Sequence, residues 1–99
     1  MPRVQRFCQL TVPITAYQIV PYNKKRVGIL IKNYSGNLVF ISNDQQDPLG
    51  QGFPLAVGDY LSFIKTDGDI PELQVYAIAS GGTSDVRVVE TFGEVPEAI

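Results

Sequence analysis

Apolar and polar residues alternate through residues 25–42, which read KRVGILIKNYSGNLVFIS. One face of this stretch carries β-branched residues: Val27, Ile29, Ile31, Val39 and Ile41. A run of residues that form tight turns, NYSGN at 33–37, separates the two halves. Two such runs joined by a turn predict a β-hairpin, and we expect the rest of the chain to form strands against it.

The same alternation predicts strands on both sides of this hairpin. Seven prolines and nine glycines interrupt the chain, and no long window keeps the apolar spacing of an amphipathic helix. The further strands are predicted at residues 5–12, 14–20, 60–65, 72–79 and 85–92. With about seven strands joined by short turns, we expect neighbours along the chain to pair antiparallel.

These features predict an all-β protein. The arrangement that they favour is a single small antiparallel β-sandwich, for which jelly-roll topology is one possibility. A small β-barrel is the alternative.

Three finer predictions concern individual residues. Leu55 and Val57 are expected to contact the core beneath a long connection. The pair Asp67-Gly68 predicts a tight hairpin turn. In the last strand, alternation predicts that Val86 and Val88 point inward and that Arg87 points outward.

The length of 99 residues corresponds to one domain. We expect this domain to span residues 1–99, with a loose N-terminal arm at 1–4 and a mobile acidic tail at 93–99. No apolar run approaches the ~20 residues of a membrane helix, and the N-terminus has no apolar stretch of signal-peptide length. We therefore expect a protein that folds in a cytoplasm and has no membrane partner.

Charge is distributed unevenly along the chain. Residues 1–43 contain six basic residues and no acidic residue, whereas residues 44–99 contain two basic and ten acidic residues. If the two halves interleave in one sheet, these charges mix on the surface. Alternatively, a basic N-terminal segment docks on an acidic neighbour, such as another copy of the chain. We expect no nucleic-acid partner, because the acidic half would repel phosphate.

Candidate catalytic groups are few. The chain has no histidine, which removes the usual proton shuttle and the commonest metal ligand. Its one cysteine, Cys8, alternates with polar residues and is expected to be a buried small apolar residue. The pair Asp67 and Asp69 lacks the oxygens and the spacing of a calcium site, and neither this pair nor Asp44 and Asp47 differs from ordinary surface acids as a candidate for two-carboxylate hydrolysis. We therefore predict no enzymatic activity, no catalytic residue, no metal site and no cofactor.

Two tyrosines, Tyr22 and Tyr34, lie beside predicted turns. An exposed ring at such a position can stack on a sugar or on a neighbouring protein. The alternative is that each ring covers the edge of the core.

From residue 26 to residue 91 the chain resembles small all-β structural proteins of tailed bacteriophages. The segments that carry the resemblance are RVGILIKN (26–33), VFISND (39–44), GQGFPLAVGD (50–59), ELQVYAIASGG (72–82) and VRVVE (86–90). In such proteins the first two segments form a hairpin, the middle loop crosses between sheets and the last two strands close the domain. The group includes capsid decoration proteins and parts of fibres, spikes and tails.

The resemblance implies a virion structural protein, made in the host cytoplasm and located in the virion. It favours a capsid decoration (cement) protein that binds the major capsid protein or another virion protein and also itself, for example as a trimer. A receptor- or glycan-binding module of a fibre, spike or tail is the alternative. We expect partner contacts from the basic N-terminal segment and the turn tyrosines: Arg3, Arg6, Lys24, Lys25, Arg26, Tyr22 and Tyr34.

Overall fold

A computed structural model describes residues 4–43 and 52–93. Its strands are β1 (Val4–Val12), β2 (Tyr17–Val20), β3 (Arg26–Ser35), β4 (Val39–Ser42), β5 (Phe53–Leu55), β6 (Tyr60–Ile64), β7 (Val75–Ala79) and β8 (Ser84–Phe92). A single 3-10 turn, Lys65–Asp67, follows β6. The all-β prediction is confirmed, with one strand more than expected. Within the described residues there is no helix long and apolar enough to span a bilayer.

The strands form two four-stranded antiparallel sheets. The first sheet has the order β1-β8-β3-β6, and the second has the order β2-β7-β4-β5. The pairs are nested: the first strand pairs with the last, the second with the seventh, the third with the sixth and the fourth with the fifth. A chain folded back on itself in this way across two sheets is a jelly roll. The sandwich prediction and its jelly-roll variant are confirmed, and the sheets do not close into a barrel.

The predicted hairpin at residues 25–42 is wrong in its pairing. Its two strands exist, but β3 lies in the first sheet and β4 in the second. The chain crosses between the sheets at Gly36, where φ is +111°. Ser84 Oγ accepts from the Asn37 N–H and donates to the Asn37 carbonyl, both at 2.8 Å. Alternation identifies the buried face of each strand but not its neighbour, and this is why the pairing was mispredicted.

The expectation that successive strands pair is correct only for β4 and β5 within the described residues. Asp67-Gly68 does form a tight turn, in which Gly68 has φ of +90° and its N–H donates to the Lys65 carbonyl. The strands on either side of this turn belong to different sheets, so it does not close a hairpin.

The core lies between the two sheets. Most of its buried apolar side chains alternate along the strands as predicted, so Val86 and Val88 point inward and Arg87 points outward. The prediction for Val27 is wrong: a bulge after Arg26 reverses the alternation there, and Val27 is only partly buried. Leu55 is buried, but the prediction for Val57 is wrong because its side chain is 51% exposed. The strand β5 ends at Leu55 and the chain turns at once, so the alternation does not continue. Cys8 is partly buried.

Nested pairing brings the basic and acidic halves of the chain together. Each of β1, β2 and β3 pairs with a strand from the second half of the sequence. The strands of the two halves therefore interleave, as the first alternative predicted, whereas docking of the basic N-terminal segment on another chain stays a prediction. The loose arm was predicted at residues 1–4, but Val4 begins β1. Residues 1–3 and residues 94–99 of the predicted tail lie outside the described residues.

Asn33 joins three parts of the fold at one end of β3. It is completely buried, and its Nδ2 donates to the carbonyls of Asn37 at 2.9 Å and Leu55 at 2.8 Å. Its backbone carbonyl also accepts from the Gly58 N–H at 2.7 Å. The side chain therefore holds the crossover between the sheets against β5.

Replacing Asn33 with Ala should lower the free energy of unfolding by about 1–3 kcal/mol, because the Leu55 carbonyl loses a buried donor and the Asn37 carbonyl keeps only Ser84 Oγ. Urea unfolding followed by circular dichroism measures the change. Asn43→Ala is the matched control. Asn43 also uses its side-chain amide as a donor, but it is exposed and its one acceptor is the Gln74 carbonyl. Equal losses in the two variants would contradict a special role for Asn33.

Candidate functional site

The structure divides the predicted partner-binding residues into two groups. Tyr22, Lys24 and Lys25 lie in the connection before β3, and Tyr34 lies near the other end of that strand. At 3.3 Å per residue, the ten-residue strand separates them by roughly 30 Å. Both tyrosine rings are more than half exposed, so neither is buried as a cover for the core. Arg3 lies outside the described residues.

Arg26 belongs to the interior, so its prediction as a surface contact is wrong. Its side chain is 1% exposed and forms an ion pair with Glu90, with 2.9 Å between Nη2 and Oε2. Nε donates to the same oxygen at 3.0 Å. Nη1 donates to the carbonyls of Pro71 and Leu73 at 3.1 and 3.3 Å, and Nη2 donates to the Pro21 carbonyl at 2.8 Å. Every nitrogen of the guanidinium therefore has an acceptor.

Arg6 shares the carboxylate of Glu90 from the solvent side. Its Nε donates to Oε1 at 3.1 Å, and its side chain is 55% exposed. The guanidinium carbon also lies 5.9 Å from the centroid of the Phe92 ring. The cluster of Arg6, Arg26 and Glu90 thus ties β1, β3 and β8 to two connections, and this arrangement is structural.

The outer face of the first sheet is the strongest candidate for a binding surface. An apolar row crosses it: Phe7 on β1 is paired with Val89 on β8, and Val89 is paired with Leu30 on β3. Phe7 is 71% exposed, the highest value among the exposed large apolar residues of the described chain. Two shallow depressions of about 310 and 300 Å³ share Val89. Apolar side chains grouped on the open face of a sheet make this face a candidate interaction site.

A second row, which we call the aromatic–basic row, lies beside the apolar one. Tyr60 on β6 is paired with Lys32 on β3, and Lys32 is paired with Arg87 on β8. The row also includes Tyr34, which lies two residues from Lys32 along β3 and whose ring centroid is 4.3 Å from the guanidinium carbon of Arg87. Tyr34 and Tyr60 are both well exposed. The row therefore offers two aromatic rings and two cations to a partner.

An ion pair with Asp85 holds Arg87 in this position. Nε and Nη2 of Arg87 donate to the two carboxylate oxygens of Asp85 at 2.9 and 3.1 Å. The hydrogen bond from Arg87 lowers the pKa of Asp85, and the same contact raises the pKa of Arg87. Both groups are charged at neutral pH, and the guanidinium is oriented over Tyr34.

The carboxylates do not converge on a catalytic site within the described residues. A depression of about 260 Å³ at one end of the sandwich includes Asp69 among its lining residues, and Oδ2 of this residue accepts from the Ile64 N–H at 3.0 Å. No group of three metal-ligating side chains is present in the described part of the chain. Asp44 and Asp47 lie outside it.

The sequence prediction missed most of this outer face, including Phe7, Lys32, Tyr60 and Arg87. A signal was present for Phe7, because alternation along β1 places an aromatic ring opposite the side that carries Cys8 and Leu10. The rows themselves depend on strand order, which the alternation of residues does not specify.

Comparison with protein families, curated proteins and solved structures finds no significant match to this chain.

Proposed function

We propose that this chain is a structural protein of a tailed-bacteriophage virion, specifically a capsid decoration protein that binds the major capsid protein. The observation that carries the proposal is the outer face of the first sheet, where the apolar row and the aromatic–basic row lie side by side. Aromatic residues and arginine are the residue types enriched at the energetic centres of protein interfaces. An open sheet face is also suited to a broad protein surface rather than to a small substrate.

Two further arguments support a role in an assembly. Jelly rolls are among the architectures of viral capsid domains, and the sequence resembles phage structural proteins. Because the same fold serves unrelated functions, the surface and not the fold carries the proposal. Many identical contacts on a repeating shell bind strongly through avidity even when each one is weak.

The exposed connection before β3 is a second contact in this proposal. Tyr22 and Lys24 are exposed there, and Lys25 is half-buried. Arg6 is paired with Glu90, but its side chain is 55% exposed, so it can still contact a partner. Arg26 does not contribute, because it is buried.

Quantitative mass spectrometry of purified particles tests the virion role. The particles are those produced by the genome that encodes this chain. We expect the chain in a copy number comparable to that of the major capsid protein. A few copies per particle would instead support a position in the tail or fibre, and absence from particles would overturn the proposal.

Changing the aromatic–basic row should weaken attachment to the capsid. We expect the variant with Lys32→Glu and Tyr60→Ser to bind at least about 30-fold less tightly, because loss of an interface centre costs about 2 kcal/mol. Co-sedimentation with particles that lack the protein measures the affinity. Phe53→Ser is the matched control, since Phe53, like Tyr60, is more than half exposed but lies on the second sheet. Equal binding by the two variants would contradict the assignment of this face.

Lys24→Glu combined with Lys25→Glu tests the second contact in the same assay. Weaker binding than the Phe53→Ser control is expected. Binding equal to that of the control would show that the connection before β3 is not part of the interface. The sheet face would then be the attachment surface.

A glycan-binding module of a fibre, spike or tail is the second candidate function. The observation that favours it is the position of two exposed tyrosines beside the cations: Tyr60 is paired with Lys32, and the Tyr34 ring lies against Arg87. Tyrosine rings stack on sugars, and cations donate to their hydroxyl groups. Saturable binding on a glycan array that is lost in Tyr34→Ala would favour this function over capsid decoration.

A further inference from the structure

The first sheet ends in an unusually long open edge. β1 contains nine residues and pairs only with β8. Its register with β8 runs without interruption from Val4 opposite Phe92 to Val12 opposite Ser84, so it has no bulge. Alternate residues of an edge strand present backbone N–H and C=O groups to the open side. Within the described residues, no further backbone hydrogen bond reaches this side of β1.

The other three sheet edges are shorter, and two carry features that block pairing. β2 has four residues and an irregular register. β5 has three residues, one of which is Pro54, and β6 has five. Short length, bulges and proline are the usual means by which proteins prevent edge pairing. β1 has none of these, although it is the longest edge and carries the exposed Phe7.

We infer that β1 pairs antiparallel with β1 of a second copy of this chain. The two first sheets then form one continuous eight-stranded sheet across a two-fold axis. Antiparallel pairing of a strand with its own copy closes at two subunits, so the symmetry differs from the trimer considered above. The inference deepens the proposed function by naming the surface through which copies associate.

The register follows from the length and charge of the strand. All nine residues pair only when Cys8 lies opposite Cys8 of the partner subunit. The one charged residue of β1, Arg6, then lies opposite Leu10 of the partner subunit, so no like charges face each other. A register centred on Arg6 would place two guanidinium groups together.

The same register accounts for the exposure of Phe7. Phe7 lies opposite Gln9 of the partner subunit, and the two Phe7 rings are diagonal neighbours across the axis. Diagonal neighbours in antiparallel strands are about 7–8 Å apart, which is within reach of aromatic side chains. The apolar rows of the two copies then join into one surface on the outer face.

The test uses the purified chain without any virion component, so its failure is separate from failure of the virion role. Light scattering across a concentration series is expected to show a monomer–dimer equilibrium. Mild oxidation is expected to link Cys8 to Cys8 of the partner subunit, because directly opposed residues lie within disulfide range. The variant Cys8→Ser with Thr11→Cys should not link, since its thiols are roughly 20 Å apart at 3.3 Å per residue.

Two charge variants test the register. Gln5 lies opposite Thr11 of the partner subunit, and both residues are exposed in the single chain. Gln5→Lys with Thr11→Lys places like charges together twice, whereas Gln5→Glu with Thr11→Lys places opposite charges together. We expect the first variant to dimerise at least about tenfold more weakly than the second. A monomer at all concentrations would overturn the inference, as would a dimer that is insensitive to these charges and forms no Cys8 link.

Discussion

Replacing Arg26 with Met should lower the free energy of unfolding by about 3–5 kcal/mol, which is a large part of the stability of a domain this size. The change leaves the carboxylate of Glu90 buried, with only the half-exposed Arg6 as its partner. It also removes the donor for the carbonyls of Pro21, Pro71 and Leu73. Two connections at one end of the sandwich then lose the hydrogen bonds that tie them to the Arg26 side chain on the first sheet.

Urea unfolding of the purified chain measures this loss, and Arg6→Met is the matched control. Arg6 contacts the same carboxylate, but its side chain is 55% exposed, so its removal should cost less than about 1 kcal/mol. The double variant Arg26→Met with Glu90→Leu removes both buried charges. It should therefore recover part of the stability that Arg26→Met loses. Similar losses for Arg6→Met and Arg26→Met would contradict the assignment of Arg26 as the buried partner.

Replacing Gly36 with Ala should cost about 2–4 kcal/mol of folding free energy. Two effects contribute. The φ of +111° disfavours any residue with a side chain, and an added Cβ would lie 2.6 Å from the Thr83 carbonyl oxygen and 2.8 Å from the Ser84 Cα. Both of these neighbours are backbone atoms, so they cannot move aside as a flexible side chain would.

Two other glycines separate these effects. Gly58 has φ of +94°, but no atom lies within 4 Å of an added Cβ, so Gly58→Ala measures backbone strain alone. Gly81 has neither a positive φ nor a close neighbour, so Gly81→Ala should be nearly neutral. In thermal or urea unfolding, the loss of stability on substitution by Ala should be largest at Gly36, smaller at Gly58 and smallest at Gly81. A Gly36→Ala loss no larger than that of Gly58→Ala would show that the crossover is less closely packed than described.

The larger of these two effects arises at Arg26, a position that alternation alone misjudges. Counting back from Ile29 and Ile31 in steps of two predicts that Val27 points inward and Arg26 outward. A bulge between Arg26 and Gly28 reverses this phase, so Arg26 joins Ile29 on the inner face. Gly28, a glycine inside a strand pattern, is compatible with a bulge here, but whether one forms depends on the fit of β3 against β8.

The outer face shows the same limit for the candidate site. Tyr34 was predicted from its position beside a turn, and its exposure agrees with that prediction. Its neighbours Arg87 and Tyr60 come from strands distant in sequence, and only the order of β6, β3 and β8 brings them together.

The sequence by itself determined that the chain is built of strands, where most of them lie and which face of most strands packs on the core. It did so because a side-chain period of two and the positions of glycine and proline are local properties. The tertiary structure alone decided that β3 and β4 belong to different sheets, that Arg26 forms a buried ion pair with Glu90 and that β1 has an open edge. These outcomes depend on which strands become neighbours, and the free energy of that choice comes from contacts between residues far apart in the chain.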